Sequence, residues 1–156
     1  MTVTPPVAPD LEPVPHVASL RARLAADGSL AILGARLLNP DGSPQAAARR
    51  RTPTPVRALR RALGWRSDAL ELSQPAAPQT DGIEYVEAIS GALMLLSRVR
   101  FAALGGFDEG YVLHCEDLDL CRRALLDGGR IGVAHEVEVL HHKGTSSRAR
   151  PVWVEW

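Results

Sequence analysis

Residues 116–140 read EDLDLCRRALLDGGRIGVAHEVEVL, and this stretch predicts a helix followed directly by a strand. Apolar residues at helical spacing predict a helix from about Asp117 to Asp127, which a Gly-Gly pair ends. After the glycines, alternating apolar residues from Ile131 to Val139 predict a half-buried strand. The predicted apolar stripe of the helix is formed by Leu118, Cys121 and Leu125.

The sequence before this stretch predicts further helices and strands. VASLRARLAA predicts a short amphipathic helix over 17–26, and LAILGARLL predicts a largely buried strand over 30–38. IEYVEAISGALMLLS predicts two strand-like pieces that meet near Ser90-Gly91, where the missing Cβ of glycine lets another group approach closely. RVRFAALGG predicts one or two helical turns that end at glycine.

The composition limits the class of protein to which this chain can belong. Its 156 residues fit one domain, and 18 basic and 18 acidic residues give no net charge, so no global field favours nucleic acid or an anionic membrane. Two cysteines suit a reduced intracellular protein better than a disulfide scaffold. The first residues lack the pattern of a secretory signal and no apolar run reaches membrane-spanning length, so we expect a cytoplasmic protein.

The charges are unevenly distributed along the chain. After an irregular, proline-rich start over 1–16, a basic loop region over 43–82 includes the segment Arg49–Arg66, which has seven arginines and no acidic residue. A solvated loop with a short helix is one interpretation of this segment, since charge runs usually face solvent. The other is a patch that contacts phosphates or anionic lipid headgroups, with which arginine pairs through two hydrogen bonds.

An acidic cluster stands at the start of the helix predicted from Asp117. Unpaired N–H groups and the positive end of the helix dipole favour Glu116, Asp117 and Asp119 there, so a helix start alone explains one of them. The cluster has three carboxylates, more than the start of a helix requires, and His141 and a second histidine come directly after the following strand. An ionised carboxylate can act as a general base, and a neutral imidazole can bind a divalent metal. The cluster is therefore also a candidate chemical site.

A zinc site is the less favourable interpretation of the nearby residues His114, Cys115, Cys121 and His141. Cysteines six positions apart on a helix point about 240° apart, so they do not easily share one tetrahedral ion. We expect both cysteines to be free thiols in or near the core.

Four short motifs follow one another between Ser90 and Ser146. They are Ser-Gly-Ala at 90–92, Gly-Gly-Phe-Asp-Glu at 105–109, Glu-Asp-x-Asp-Leu-Cys-x-Arg at 116–123 and Val-x-His-x-x-Gly-x-Ser at 139–146. In this order they resemble the carboxy-terminal half of family 2 glycosyltransferases, especially the bacterial rhamnosyltransferase-like and galactofuranosyltransferase-like branch. The resemblance implies an α/β fold of the GT-A type, with a partial mixed sheet flanked by helices. We expect the nucleotide-binding strands of that fold to lie before Met1.

The resemblance also implies roles for individual residues. Asp117 falls on the position of the general base, Glu116 on that of a residue binding acceptor hydroxyls, and His141 on that of a ligand for Mn²⁺ or Mg²⁺. Asp10 matches the last acid of the family's other metal motif, in which Ala8 stands where the family has Asn or Asp. The further residues expected to contact the acceptor or support the site are Gly91, Asp108, Glu109, Asp119 and Trp153.

The function implied by the resemblance is that of an inverting glycosyltransferase in cell-surface polysaccharide or glycolipid synthesis. It would transfer a sugar from a nucleotide-sugar donor to a hydroxyl of a glycan or lipid-linked acceptor. We expect a single partial domain over 1–156, with a catalytic and acceptor half over 83–146, from a truncated chain or a split pair with an upstream partner. Arg49–Arg66 is a candidate for peripheral contact with the inner face of the cell membrane, and no nucleic acid partner is expected. A non-catalytic module that binds carbohydrate or lipid phosphate is the alternative.

Overall fold

A mixed sheet with helices on both of its faces organises the chain. The computed structural model describes residues 15–52, 54–64, 82–111 and 115–142. The helices are α1 (Pro15–Ala26), α2 (Pro55–Ala62), α3 (Arg98–Ala103) and α4 (Glu116–Leu126), with a short 3-10 helix at Ala46–Ala48. The strands are β1 (Leu30–Leu38), β2 (Arg49–Arg50), β3 (Ile83–Val86), β4 (Ala88–Ile89) and β5 (Arg130–Leu140).

The strands β1 and β5 form the centre of the fold. In a sheet with the order β1-β5-β3, β5 pairs in parallel with β1 and antiparallel with β3. The strand predicted over 30–38 coincides with β1. Ile32 and Leu33 are both fully buried because α4 covers one face of the sheet and α1 covers the other. The mixed sheet flanked by helices confirms the predicted α/β class.

Helix α4 buries a surface slightly different from the predicted one. The predicted stripe is wrong at Leu125, which is 36% exposed. The buried line runs from Asp117 through Cys121 to Ala124, at spacings of four and three residues, and this turns Leu125 away from the sheet. The buried residues of α4 are Asp117, Leu118, Leu120, Cys121 and Ala124.

A glycine turn reverses the chain between α4 and β5. Gly128 has a φ of +80°, a conformation that glycine adopts without steric cost. A Cβ on Gly129 would lie 2.5 Å from the Cβ of Ala31 on β1, so the turn lies directly against the sheet. Because this short connection turns the chain back, the amino end of α4 and the carboxyl end of β5 lie toward the same edge of the sheet.

The strands β3 and β4 are shorter than the sequence predicts. Both lie within the first of the two predicted pieces, which is interrupted at Glu87, and β4 is as short as its partner β2. Beyond Gly91 the described chain forms an irregular loop where a second strand was predicted. One bridge remains in this loop, in which Leu33 and Leu95 exchange two backbone hydrogen bonds of 2.8 Å.

The predicted basic loop region over 43–82 contains regular structure. Strand β2 pairs antiparallel with β4, and α2 is the short helix expected there. Residues 65–81 of this region lie outside the described residues, as does most of the predicted irregular start, 1–14. Within the described ranges, no helix is long and apolar enough to cross a membrane.

Gly129→Ala is expected to destabilise the fold. The new Cβ would overlap the Cβ of Ala31 at 2.5 Å and approach the carbonyl oxygen of Ala124 at 3.1 Å. Overpacking of this kind costs about 1–3 kcal/mol. Gly28→Ala is the matched control, since nothing lies within 4 Å of a Cβ at that position. Urea unfolding measures both variants, and equal free energies of unfolding would contradict the close approach of the turn to β1.

Candidate functional site

Asp117 brings a carboxylate into the interior at the amino end of α4. The residue is only 7% exposed, and its Oδ1 accepts a 2.8 Å hydrogen bond from the Leu118 backbone N–H. Cys115, which precedes the helix, has a φ of +70°, and its side chain does not cap α4. Asp117 therefore satisfies one N–H of the first turn, at the positive end of the helix dipole.

Two groups from other parts of the chain contact the second oxygen of Asp117. The Gly91 N–H donates a 2.9 Å hydrogen bond to Oδ2, and the Arg50 guanidinium lies 3.4 Å from the same oxygen. A Cβ on Gly91 would lie 3.3 Å from the Cβ of Asp117, which is tighter than an ordinary contact. The prediction that this glycine permits a close approach is confirmed, and the group that approaches is the predicted base.

A pocket of about 410 Å³ opens beside Asp117. One carboxylate oxygen of Glu116, Oε2, is buried and has no hydrogen-bond partner among the described residues. The structure brings the acids of α4 and of the loop after α3 around one cavity, and sequence analysis selected all of its lining residues except the two aromatic ones. The lining residues are Gly91, Phe107, Asp108, Glu109, Tyr111, Glu116 and Asp117.

The loop after α3 is held in shape by its own backbone and by α4. The Asp108 side chain accepts a 2.8 Å hydrogen bond from the Gly110 N–H, as in the turns that aspartate favours. Arg123 of α4 donates to the carbonyl oxygen of Leu104 at the start of this loop. Asp119 accepts a 2.7 Å hydrogen bond from Arg123, so it orients the arginine that supports the loop instead of lining the pocket.

His141 lies at the carboxyl end of β5, where Gln45 joins it to the end of β1. The Gln45 side-chain amide donates to the carbonyl oxygens of Leu38 and His141, at 3.2 and 2.7 Å. Gln45 Oε1 lies 3.0 Å from Nδ1 of the His141 ring. Because Oε1 can only accept, Nδ1 carries the ring hydrogen, and Nε2 keeps the lone pair that a metal can use.

The predicted base and the predicted metal ligand share an edge of the sheet but not a pocket. His141 is absent from the lining of the Asp117 pocket. The segment from Gln45 to Arg50 lies between them, since one end contacts His141 and the other contacts Asp117.

Sequence analysis missed the roles of Gln45 and Arg50. It assigned Arg50 to the basic segment, and only the pairing of β2 with β4, which sets Arg50 opposite Ala88, brings this side chain to Asp117. No spacing or composition signal marks Gln45, whose side chain becomes important only once β1 and β5 are paired. Both residues depend on contacts between distant parts of the chain.

Part of the basic segment is paired with carboxylates inside the protein. Arg57 makes two hydrogen bonds of 2.7 and 2.8 Å to Glu87, and this pairing lowers the pKa of the Glu87 carboxyl. Arg49 forms an ion pair with Glu84. Together with Arg50, these arginines form ion pairs within the protein that neither interpretation of the segment predicts. A substitution of Arg50 made to test lipid binding would also remove the contact with Asp117.

The cysteines lie in different environments. Cys121 is fully buried, and burial raises the pKa of its thiol to about 11. Cys115 is exposed, which corrects the expectation that both thiols lie in or near the core.

Across the ranges that the structure describes, no three His, Cys, Asp or Glu side chains come together as a metal site. His114, Asp10 and Trp153 lie outside those ranges, so their predicted roles stay predictions.

The chain is similar to several glycosyltransferases. Over 131 residues it is 32% identical to the N-acetylglucosaminyl-diphospho-decaprenol L-rhamnosyltransferase of Mycobacterium tuberculosis (strain ATCC 25618 / H37Rv), covering 76% of this chain and 39% of that protein. Over 64 residues it is 38% identical to rhamnosyltransferase WbbL of Escherichia coli (strain K12), covering 39% of this chain and 24% of that protein.

A third relative comes from an archaeon. The low-salt glycan biosynthesis hexosyltransferase Agl10 of Haloferax volcanii is 26% identical over 113 residues, which cover 72% of this chain and 33% of that protein. The chain thus spans well under half the length of these curated relatives. No family model matches the chain, and no solved structure matches it.

Arg50→Gln is expected to lower the free energy of unfolding by about 1–2 kcal/mol, because it leaves the buried Asp117 carboxylate without its cation. The same substitution in an Asp117→Asn background should cost less, since the neutral amide does not need that partner. A double-mutant cycle by urea unfolding measures the coupling between the two side chains. Strictly additive effects would show that the Arg50–Asp117 contact contributes nothing.

The buried Cys121 thiol is expected to make stability fall at alkaline pH. Its pKa is raised from 9.0 in the unfolded chain to about 11, so the unfolded state loses this proton first and stability is lost as pH rises across that interval. The fall in the free energy of unfolding with pH should be shallower in Cys121→Ala, which lacks the buried thiol. Cys115→Ser is the control, because it keeps Cys121. Urea unfolding as a function of pH measures this difference, and parallel declines would contradict the assigned environment.

Proposed function

We propose that this chain, which is similar to several curated glycosyltransferases, carries the catalytic and acceptor-binding part of a family 2 glycosyltransferase. The reaction is the inverting transfer of a sugar from a nucleotide-sugar donor to an acceptor hydroxyl. The observation that carries this proposal is the pocket in which Asp117 stands beside Glu116 and the acids of the loop after α3.

Asp117 is the general base of the proposed reaction. It takes the proton of the acceptor hydroxyl while the acceptor oxygen attacks the anomeric carbon and the bond to the nucleotide diphosphate breaks. A single displacement of this kind inverts the configuration at that carbon. The Gly91 N–H and Arg50 both contact Oδ2, and Leu118 donates one hydrogen bond to Oδ1, so Oδ1 keeps a lone pair for the proton.

The other acids of the pocket bind the acceptor sugar. Carboxylate oxygens accept hydrogen bonds from sugar hydroxyls, and the buried Oε2 of Glu116 has no partner within the described residues. Asp108 and Glu109 line the same pocket on the opposite loop. Phe107 and Tyr111 provide apolar surface for a sugar ring there. This combination suits an uncharged, hydroxyl-rich acceptor sugar better than an anionic group.

His141 fits the role of one metal ligand. Its Nδ1–H is held by Gln45, which orients the ring and leaves Nε2 available, the arrangement found for metal-bound histidines. A bound Mn²⁺ or Mg²⁺ would offset the charge that builds on the departing diphosphate. The described part of the chain supplies no complete ligand set, and Asp10 lies outside it. The proposed proton transfer therefore involves only Asp117 and its contacts.

The names of the relatives indicate which substrates to test first. Two of them are named rhamnosyltransferases, and one name specifies an N-acetylglucosaminyl-diphospho-decaprenol acceptor. We propose a nucleotide-activated rhamnose or related hexose as donor and a lipid-linked glycan diphosphate as acceptor. The proposed pathway class is cell-surface polysaccharide or glycolipid synthesis.

A binding module without catalysis is the second candidate function. It is favoured by the incomplete set of metal ligands in the described part of the chain and by the arginines of the basic segment. Such a module would bind carbohydrate or lipid phosphate without any requirement for a divalent metal. Titration calorimetry separates the two functions, since donor binding that needs Mn²⁺ supports the enzyme and metal-independent glycan binding supports the module.

Asp117→Asn is expected to slow transfer by at least about 100-fold, because a neutral amide cannot take the proton of the acceptor. Donor binding should change little. The assay completes this chain with the donor-binding part of a homologous glycosyltransferase, incubates it with nucleotide-activated rhamnose, Mn²⁺ and a short-chain N-acetylglucosaminyl-diphospho-lipid, and measures product by mass spectrometry. Asp41→Asn, an exposed substitution in the turn after β1, is the matched control.

An Asp117→Asn variant that retained its rate would remove the base assignment. Glycan binding without transfer by the completed wild-type enzyme would contradict the catalytic role and support the binding module.

A further inference from the structure

Helix α2 exposes an apolar surface. Val56, Leu59 and Leu63 are 57%, 60% and 65% exposed. A 2.9 Å backbone hydrogen bond from Leu63 to Leu59 extends the helical turn past the end of α2. On a helix of 3.6 residues per turn, these three residues lie within an arc of about 60°. The arc is a continuous apolar face, which is uncommon on a solvent-facing helix.

The contacts of α2 that the structure describes are polar. Thr54 caps the helix by accepting a 3.2 Å hydrogen bond from the Arg57 N–H, and the Arg57 guanidinium pairs with Glu87. In the described part of α2, no apolar side chain is buried. Short helices are marginally stable without an apolar contact, so this face has unused capacity for a partner.

The charges beside the apolar face identify the kind of partner. The sequence of α2, PVRALRRA, contains three arginines and no acidic residue. Arg60 follows Leu59 directly and lies about 40° from Val56 around the helix axis. A helix with an apolar face and a net positive charge is suited to lie in the plane of an anionic membrane, where the charge attracts it to the headgroups and apolar side chains enter the acyl boundary.

We propose that α2 docks this protein on anionic lipid bilayers, with Val56, Leu59 and Leu63 inserted at the headgroup boundary. The proposal goes beyond glycosyl transfer and stands on the exposure and charge of α2 alone. It narrows the predicted contact from the whole Arg49–Arg66 segment to α2, whose apolar face is exposed.

The location of α2 connects membrane docking with the candidate site. Thr52, just before α2, lines a cavity of about 210 Å³ together with Tyr111, which also lines the Asp117 pocket. Arg50, two residues earlier, contacts Asp117. Docking through α2 would hold the pocket close to the membrane surface, where the headgroups of lipid-linked molecules are found.

Vesicle co-sedimentation of the full chain tests the docking. We expect binding to vesicles of phosphatidylcholine and phosphatidylglycerol, weaker binding to phosphatidylcholine alone, and weaker binding as salt is raised. The double substitution Leu59→Ser/Leu63→Ser should reduce partitioning by at least about tenfold, because it removes apolar surface that enters the bilayer. Val99→Ser/Leu126→Ser is the matched control, since these residues are 81% and 77% exposed on α3 and α4.

A fluorescent label tests the depth of insertion independently of affinity. In a Cys115→Ser background, a nitrobenzoxadiazole dye attached at Leu63→Cys should shift its emission to the blue and brighten on anionic vesicles. The same dye at Val99→Cys should not change. An unchanged signal at both positions would overturn the proposal.

Two further outcomes would also overturn the docking. One is equal vesicle binding by the α2 and control double variants, which would exclude the apolar face as the contact. The other is a concentration-dependent dimer that only Leu59→Ser/Leu63→Ser abolishes, since the face would then belong to an interface between copies. Glycosyl transfer to a water-soluble acceptor fragment does not require docking on a membrane. The docking proposal and the proposed transfer can therefore fail separately.

Discussion

The buried carboxylate of Asp117 is the interaction on which the arrangement of the site depends. It receives one N–H from its own helix, one from Gly91 after β4, and a contact from Arg50 on β2. A carboxylate with so little exposure is tolerated only when it is hydrogen-bonded and its charge is compensated. The same contacts fix α4 against β2 and β4, and Arg123 of α4 then fixes the loop that completes the pocket.

The second constraint is the pairing of β1 with β5 in parallel. Parallel strands direct their carboxyl ends to one edge, which is where open α/β sheets bind their ligands. Gln45 joins these strand ends and orients His141, and the chain then continues through β2 to Arg50. A short segment therefore supports both the imidazole and the carboxylate. The proposed base and the proposed metal ligand would then serve neighbouring parts of one substrate without sharing a pocket.

Local patterns in the sequence were sufficient for the elements whose burial is simple. The strand over 30–38 and the bounds of α4 followed from continuous and periodic hydrophobicity, and the acids around the pocket followed from motifs and resemblance. The wrong or missing predictions all involve tertiary contacts. Strand β4 is as short as its partner β2, and Leu125 faces outward because the buried stripe passes through a polar residue, Asp117. No local pattern encodes the contact between Arg50 and Asp117.

Mapping the binding of an acceptor fragment by NMR tests the central claim most directly. Titration of the chain with the uncharged methyl glycoside of N-acetylglucosamine, followed by amide ¹H–¹⁵N shifts, reports each backbone group separately. The account predicts the largest shifts at Gly91, Glu109, Glu116 and Leu118, whose residues line the pocket or hold Asp117. Shifts confined to α1, which packs on the face of the sheet opposite α4, would contradict it.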